Sequence, residues 1–318
     1  MVDTIATRGY IANTDFDWYR HFLLRDPPAE EVNFWRPSDT RAFRAVPVGA
    51  PFFFRLKRPH SAIAGYGFFA RYETAPAWLA WQSFGDLNGV TSFSDMATRL
   101  HKYRKSVGAT VTKHAEQYQI GCIMISRPVW FEERDWVADD AGWAGNIVNG
   151  KGIELLHGEG QRILSECLAR TWAQAPEIQA AKEGLARRGQ PVLVEPRLGQ
   201  GAFRIAVTKA YDEACAVTGE HSLPALEAAH VRPYADGGEH ALANGLLLRA
   251  DIHRLYDAGY VTVTPDYHFR VSHELLDDFH NGREYERFAG RAITVPRAIP
   301  DRPSSELLDW HSAAVFRG

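Results

Sequence analysis

The sequence predicts an α+β protein built from two domains joined by a helical connector. Three observations predict it. The chain has 318 residues, long for one compact domain and suited to two. Hydrophobic residues make up 45% and charged residues 24%, the balance of a chain that folds rather than one that stays disordered. The texture changes twice: short aromatic strand-like runs, then a stretch of helix formers, then a compact helix, hairpin and helix pattern.

Residues 1–157 read as a small, mostly β barrel. VPVGAPFFFRLK (46–57) and AIAGYGFFARYE (62–73) are β-rich runs separated by the turn-like RPHS, and IGCIMISRPVWF (120–131) is an apolar strand broken by Pro128. SFSDMATRLHKYRK (92–105) opens on a serine cap and spaces Met96, Leu100 and Tyr103 as a helix does. Residues 158–190 form the expected connector, with an apolar stripe of Ile163, Leu164, Cys167 and Leu168, and the proline of GQPVLVEP (189–196) closes it. Residues 191–318 are the second domain.

No window approaches the roughly 18 apolar residues of a membrane helix. The first residues lack a basic segment followed by an apolar run. Cys122, Cys167 and Cys215 are too few and too scattered for a disulfide framework or a four-cysteine zinc site. A reduced, cytoplasmic protein without a membrane partner is expected. The net charge of −3 leaves nucleic acid open, because local patches decide that. Arg36, Arg41, Arg44, Arg55, Lys57, Arg58 and Arg71 face Asp39 alone, whereas Glu132, Glu133, Asp135, Asp139 and Asp140 follow as an acidic run. One basic face in an otherwise acidic protein is the expectation, with scattered solvated arginines as the alternative.

LEAAHVRPYADGGEHALANGLLLRADIHRLYDAG (226–259) carries the chemistry. LEAAHV reads as a strand, PYADGGEH as a loop, and a helix ends near Gly259. His230 then ends a strand, Asn244 stands at the loop-to-helix approach, and His253 lies inside the helix. This layout resembles the HNH, or ββα-metal, nuclease family. His230, Asn244 and His253 match its three signature positions at separations of 14 and 9 residues, and AYDEACAVTGEHS (210–222) resembles the family's lead-in. The resemblance implies that His230 is the general base, His253 a metal ligand and Asn244 the residue that pins the loop. An imidazole titrating near neutrality can take a proton from water, and a divalent cation neutralises charge growing on the phosphate.

Two departures follow. Many members carry a metal-binding aspartate just before the first histidine, where this chain has Ala229. The replacement ligand comes from Asp257, one helical turn after His253, or from Glu227, two residues back on the strand; Asp257 is preferred because an i,i+4 pair needs no strand distortion. The CxxC pairs that brace related proteins are also missing, since Thr218 stands where Cys215 would need its partner, so no structural zinc is expected. His221, His240 and His268 read as ordinary residues among 13 histidines. In RLGQGAFR (197–204), Arg197, Gln200 and Arg204 are candidates to hold phosphates, as is Arg254, which shares a helix with Asp251 and His253.

GYIANTDFDWY (9–19), VNFWRP (32–37) and GFFARY (67–72) resemble the PUA-like group, including the EVE and SRA modules, small β-barrels that recognise modified or flipped bases. The resemblance implies a reader pocket. Trp18 and Trp35 are its candidate walls, Asn13 and Asp15 its base-edge partners, Asn146 its closing residue, and Arg36, Arg41 and Arg44 its phosphate grip. Trp78, Trp81, Trp130, Trp136 and Trp143 are left to core or surface.

Together the resemblances imply a metal-dependent endonuclease that hydrolyses phosphodiester bonds in double-stranded DNA. The substrate would carry modified bases such as 5-methylcytosine or 5-hydroxymethylcytosine. Mg2+ or Mn2+ is the expected cation, with Ni2+ or Zn2+ able to occupy a histidine site in vitro. A homodimer would supply the two active sites that double-strand cutting needs. The alternatives are an HNH nuclease without modification preference and a catalytically inactive DNA-binding reader.

Overall fold

The computed structural model describes residues 6–106, 108, 110–112, 114–139, 142, 143, 147, 149–174, 193, 198–279 and 283–318. It is an α+β chain of two compact units, Met1–Gly199 and Gln200–Gly318. Among the described residues no helix is long and apolar enough to cross a membrane.

The first unit is one seven-stranded sheet: β1 (Arg8–Thr14), β2 (Glu31–Arg36), β3 (Pro51–Leu56), β4 (Ala62–Pro76), β5 (Gln119–Trp130), β6 (Val137–Ala138) and β7 (Gly150–Glu154). Its order is β2-β5-β4-β3-β1-β7, with β6 on β4. The pair β1–β3 is parallel, with Asn13 opposite Arg55 and Thr14 opposite Leu56. Both strands therefore deliver their last residues to the same end of the sheet.

Every residue of PFFFRL in β3 is buried, because helices cover the sheet on both sides. Side chains alternate across a strand, so Phe53 joins Ile11 and Tyr66 in one core, whereas Phe52 and Phe54 join Ala12 in the other. The helix α1 (Phe16–Leu23) adds Trp18 and Phe22 to the second core. Beyond α2 (Ala77–Phe84), α3 (Phe93–Ser106) begins where expected: the Ser92 hydroxyl accepts the Asp95 N–H at 3.1 Å and donates to its carboxylate at 2.8 Å, a reciprocal cap. The helix α4 (Gly158–Gln174) places Ile163, Leu164 and Cys167 in the first core, and its Thr171 hydroxyl hydrogen-bonds that of Tyr66 at 3.1 Å. This part of the expected connector packs as a member of the first unit; residues 175–190 lie outside the described residues.

One strand differs from expectation. Pro128 does not break β5, which runs through it to Trp130. The β4–β5 register shifts between Tyr66 and Phe68, Arg127 takes a positive φ of 49°, and its N–H bonds Glu30 O at 2.8 Å. A bulge absorbs the residue that has no N–H to give.

The second unit starts with α5 (Gln200–Ala210) and continues through the hairpin β8 (Leu226–His230) and β9 (Gly245–Arg249) into α6 (Ala250–Asp257). A second hairpin, β10 (Val261–Val263) with β11 (Phe269–Val271), leads to α7 (Glu274–Phe279), α8 (Arg283–Glu286) and α9 (Ser305–Ala314). Gly245–Arg249 is a strand and not the start of a helix. Asn244 accordingly stands at a loop-to-strand junction, paired across the hairpin end where His230 meets Gly245.

His311 on α9 locks the end of α6. Its ring stacks on Tyr256 at 3.7 Å, Nε2–H donates to Tyr256 O at 3.2 Å, and Nδ1 accepts from the Thr262 hydroxyl at 2.9 Å. Burial pushes its pKa down to about 4, so the ring folds neutral while the unfolded chain binds a proton near pH 6.5. Between those values the unfolded state holds more protons, and stability falls as pH falls. We expect the second unit to lose roughly 3 kcal/mol from this group between pH 7.5 and pH 4. Urea midpoints that stay flat over that range would contradict it.

Candidate functional site

The hairpin β8–β9 and the helix α6 bring the three signature side chains together. His230 ends β8, half-buried, with its ring stacked on Phe203 of α5 at 4.0 Å and 12°. Burial, helped by the neighbouring His240 and His253, lowers its pKa to about 4, so the imidazole is neutral at neutral pH. Its Nε2 lies 2.9 Å from Nδ1 of His240, a residue with no functional signal in the sequence.

Asn244 is 1% exposed and grips the loop between the two strands at both ends. Its Oδ1 accepts the Arg232 N–H at 2.8 Å, and Nδ2 donates to Arg232 O and Glu239 O, each at 2.9 Å. The loop closes tightly enough that a Cβ on Gly238 would sit 1.9 Å from Arg232 O. Replacing Asn244 by alanine would strand these backbone groups. We expect a loss of about 3 kcal/mol and roughly 100-fold lower turnover, read by urea unfolding and cleavage rate. Wild-type values in both would contradict the pinning role.

His253 sits between two carboxylates. Its Nδ1 is 2.7 Å from Glu227 Oε2, and its Nε2 is 3.4 Å from Asp257 Oδ2. Partial desolvation raises the Asp257 carboxyl; His253 opposes the shift and Glu227 adds to it. Among the described residues no three His, Cys, Asp or Glu side chains converge as a ready-made cation cage. The two carboxylates lie at opposite nitrogens of the ring, which is why they do not converge. The donor set nevertheless suits a hard divalent cation. Neighbouring donors around an octahedral ion with ligands at 2.0–2.1 Å lie about 3 Å apart, close to the His253–Asp257 separation. Such an ion keeps several positions for water and phosphate.

Of the candidate phosphate contacts in this unit, Arg204 is half-buried and within electrostatic reach of Glu227, whereas Gln200 at the start of α5 and Arg254 on α6 are exposed. Arg197 lies outside the described residues. Cys215 is buried, and its sulfur accepts the Arg249 N–H at 3.3 Å.

In the first unit, the ends of β1 and β3 gather a polar cluster. Asn13 Oδ1 accepts from Arg55 Nη1 at 3.3 Å, and the buried Arg55 guanidinium is also paired with Asp139. Trp143 covers that guanidinium at 4.2 Å, a role no sequence signal assigned to it. Asp15 accepts from Lys57 Nζ at 2.6 Å and from the Tyr103 hydroxyl. Burial alone would raise the Asp15 carboxyl, but these two hydrogen bonds and the nearby cations hold it below its ordinary value. A cleft of about 210 Å³ opens there, lined by Asp15, Phe16, Asp17, Arg99, Lys102 and Tyr103.

The two tryptophans expected to wall a pocket fare differently. Trp18 is 6% exposed, packs edge-on against Phe22 and Phe34, and donates its indole N–H to Asn88 O at 3.1 Å. It offers no face to a ligand, which corrects that expectation. Trp35 donates to the same oxygen at 2.9 Å but stays half-buried, its ring 6.1 Å from Tyr103. Asn146 lies outside the described residues. The expected basic face is thinner than the residue count implied, because Arg55 is internal and Arg71 pairs with Glu73 at 2.8 Å. Arg41 and Arg44 are exposed, and Arg36 donates to Arg41 O at 3.2 Å.

Residues 215–264 match the HNH endonuclease family, a span that contains the hairpin, the loop and the helix just described. No curated protein matches the sequence. Solved structures similar to parts of the chain include a single-residue variant of the ASCH protein from Zymomonas mobilis. It is 10% identical, with a TM-score of 0.32 over 51% of this chain and 97% of that one. The unaltered Zymomonas mobilis ASCH is 11% identical, with a TM-score of 0.30 over 49% of this chain and 93% of that one. A modification-dependent restriction endonuclease, TagI, is 11% identical, with a TM-score of 0.26 over 96% of this chain and 81% of that one.

Proposed function

Because residues 215–264 form an HNH endonuclease domain and the chain is a nuclease, we propose that it cuts double-stranded DNA carrying modified cytosine, using the first unit as a PUA-like reader. The observation that carries the nuclease half is the joint placement of a neutral His230 and the His253–Asp257 pair on one β8–β9 hairpin and the helix that follows it. His230 takes a proton from the attacking water, and Asn244 holds the loop that presents it. His253 and Asp257 would hold a divalent cation, Mg2+ or Mn2+, which would supply positive charge against the scissile phosphate and the departing oxygen. Glu227 grips the other ring nitrogen of His253 and sets its orientation. Arg204 and Arg254 contact backbone phosphates.

The reader half is supported by the cluster at the ends of β1 and β3. A carboxylate such as Asp15 accepts well from a cytosine amino group, and the cleft beside it has an aromatic edge in Tyr103 and Phe16. Trp35 stands behind Tyr103. Arg41 and Arg44, both exposed, are the proposed phosphate contacts of this unit.

Fluorescence anisotropy with duplexes containing cytosine, 5-methylcytosine or 5-hydroxymethylcytosine, in EDTA so that nothing is cut, tests the reader. One modified duplex should bind at least about 10-fold more tightly than the plain one, and Asp15→Ala should erase the difference. Equal affinities across the three duplexes would leave an HNH nuclease without modification preference.

A further inference from the structure

We propose that His240 is the positioning residue of the nuclease base: its ring selects the tautomer of His230 that leaves Nδ1 open to water. The inference rests on the reading of His230 as the base and adds a fourth residue to the three signature positions.

The number of protons on the two rings sets the direction of their hydrogen bond. Nε2 of His230 and Nδ1 of His240 are 2.9 Å apart, so a single hydrogen lies between them. A neutral imidazole has one N–H and one lone pair. If His240 donated, His230 would carry its only proton on Nδ1 and its lone pair would already be used, leaving no nitrogen to receive a proton from water. If His230 donates from Nε2, its lone pair sits on Nδ1 and the ring is a base. His240 then accepts at Nδ1 and keeps its own proton on Nε2. When Nδ1 takes the water proton, the resulting imidazolium still has its Nε2–H directed at an acceptor, which favours the charged ring.

The surroundings fix both rings in this relation. Phe203 lies flat against His230 at 4.0 Å and supports the ring in the plane that keeps Nε2 against His240. Tyr234, 68% exposed, lies parallel to His240 at 5.1 Å and 8°. The Asn244 amide reaches both sides of the pair, since it grips Arg232 two residues after His230 and Glu239 next to His240. One buried asparagine thus holds the base and its orienting partner in register.

Three variants separate orientation from packing. In asparagine the side-chain oxygen is as many bonds from Cα as histidine Nδ1, whereas in glutamine it is one bond further, where Nε2 stands. His240→Ala should lower kcat by roughly 10–100-fold with KM unchanged. His240→Asn should restore most of that loss, and His240→Gln should not. Long-range proton–nitrogen correlation spectra of histidine-labelled protein read the tautomer directly and need no catalysis. Wild-type and His240→Asn should show His230 protonated at Nε2, and His240→Ala should show a mixture of tautomers.

Full activity in His240→Ala, or equal activity in the asparagine and glutamine variants, would overturn the proposal. So would a wild-type His230 protonated at Nδ1. If wild-type protein cuts no DNA with any cation, the nuclease reading itself fails, while the spectra still decide whether His240 sets the tautomer.

Discussion

Replacing His230 by alanine is expected to lower DNA cleavage by roughly 10²–10⁴-fold, the range that a positioned general base contributes. The substitution removes the ring stacked on Phe203 but touches neither His253 nor Asp257, so cation affinity should stay at the wild-type level. Because the His230 pKa is pushed down to about 4, its acid limb belongs near pH 4 and not near the ordinary histidine value. Cleavage by wild-type protein should therefore stay flat, as far as this group is concerned, from pH 8 to about pH 5. A His230→Ala protein that cuts at the wild-type rate would remove the base from the account.

The second large effect concerns the cation. Asp257→Ala should weaken Mn2+ binding by at least about 100-fold in a calorimetric titration, because it deletes a donor at the ring nitrogen left for the ion. Glu227→Ala should weaken it only by about 10-fold, because Glu227 bonds the opposite nitrogen and acts through the orientation of His253. The reverse order would make Glu227 the ligand and Asp257 the support. Spacing favours Asp257 over Glu227, because an i,i+4 pair on one helix needs no strand distortion. In the proposed arrangement Glu227 keeps to Nδ1 of His253 and Asp257 to the Nε2 side.

What sequence revealed and what it hid follow from the range of the interactions involved. The nuclease corner was legible because its residues lie on consecutive local elements: His230 at a strand end, Asn244 where the loop ends, His253 on the following helix. His240 escaped notice because its contact with His230 exists only once the loop 231–244 is folded back by Asn244. A histidine in a polar loop carries no local signal of that meeting.

In the first unit the strands and the capped helix α3 were visible in period and turn chemistry. The fate of each tryptophan was not. Trp18 and Trp35 both end on the main-chain oxygen of Asn88, 70 and 53 residues away, and only the tertiary fold decides that one ring is sealed and the other half-open. Arg55 shows the same limit for charge: counted as part of a basic face, it is internal, paired with Asp139 and covered by Trp143. Pro128 in sequence signals a break because a proline normally costs a ladder hydrogen bond, and a bulge at Arg127 removes that cost.

Cleavage of matched plasmid and phage DNAs, unmodified, 5-methylated and 5-hydroxymethylated at cytosine, with Mg2+ or Mn2+ and with His230→Ala as control, decides between these readings. Cutting should be confined to a modified substrate, abolished by EDTA and lost in the variant. Cutting of all three DNAs at one rate would contradict the reader, and no cutting of any of them with either cation would contradict the nuclease.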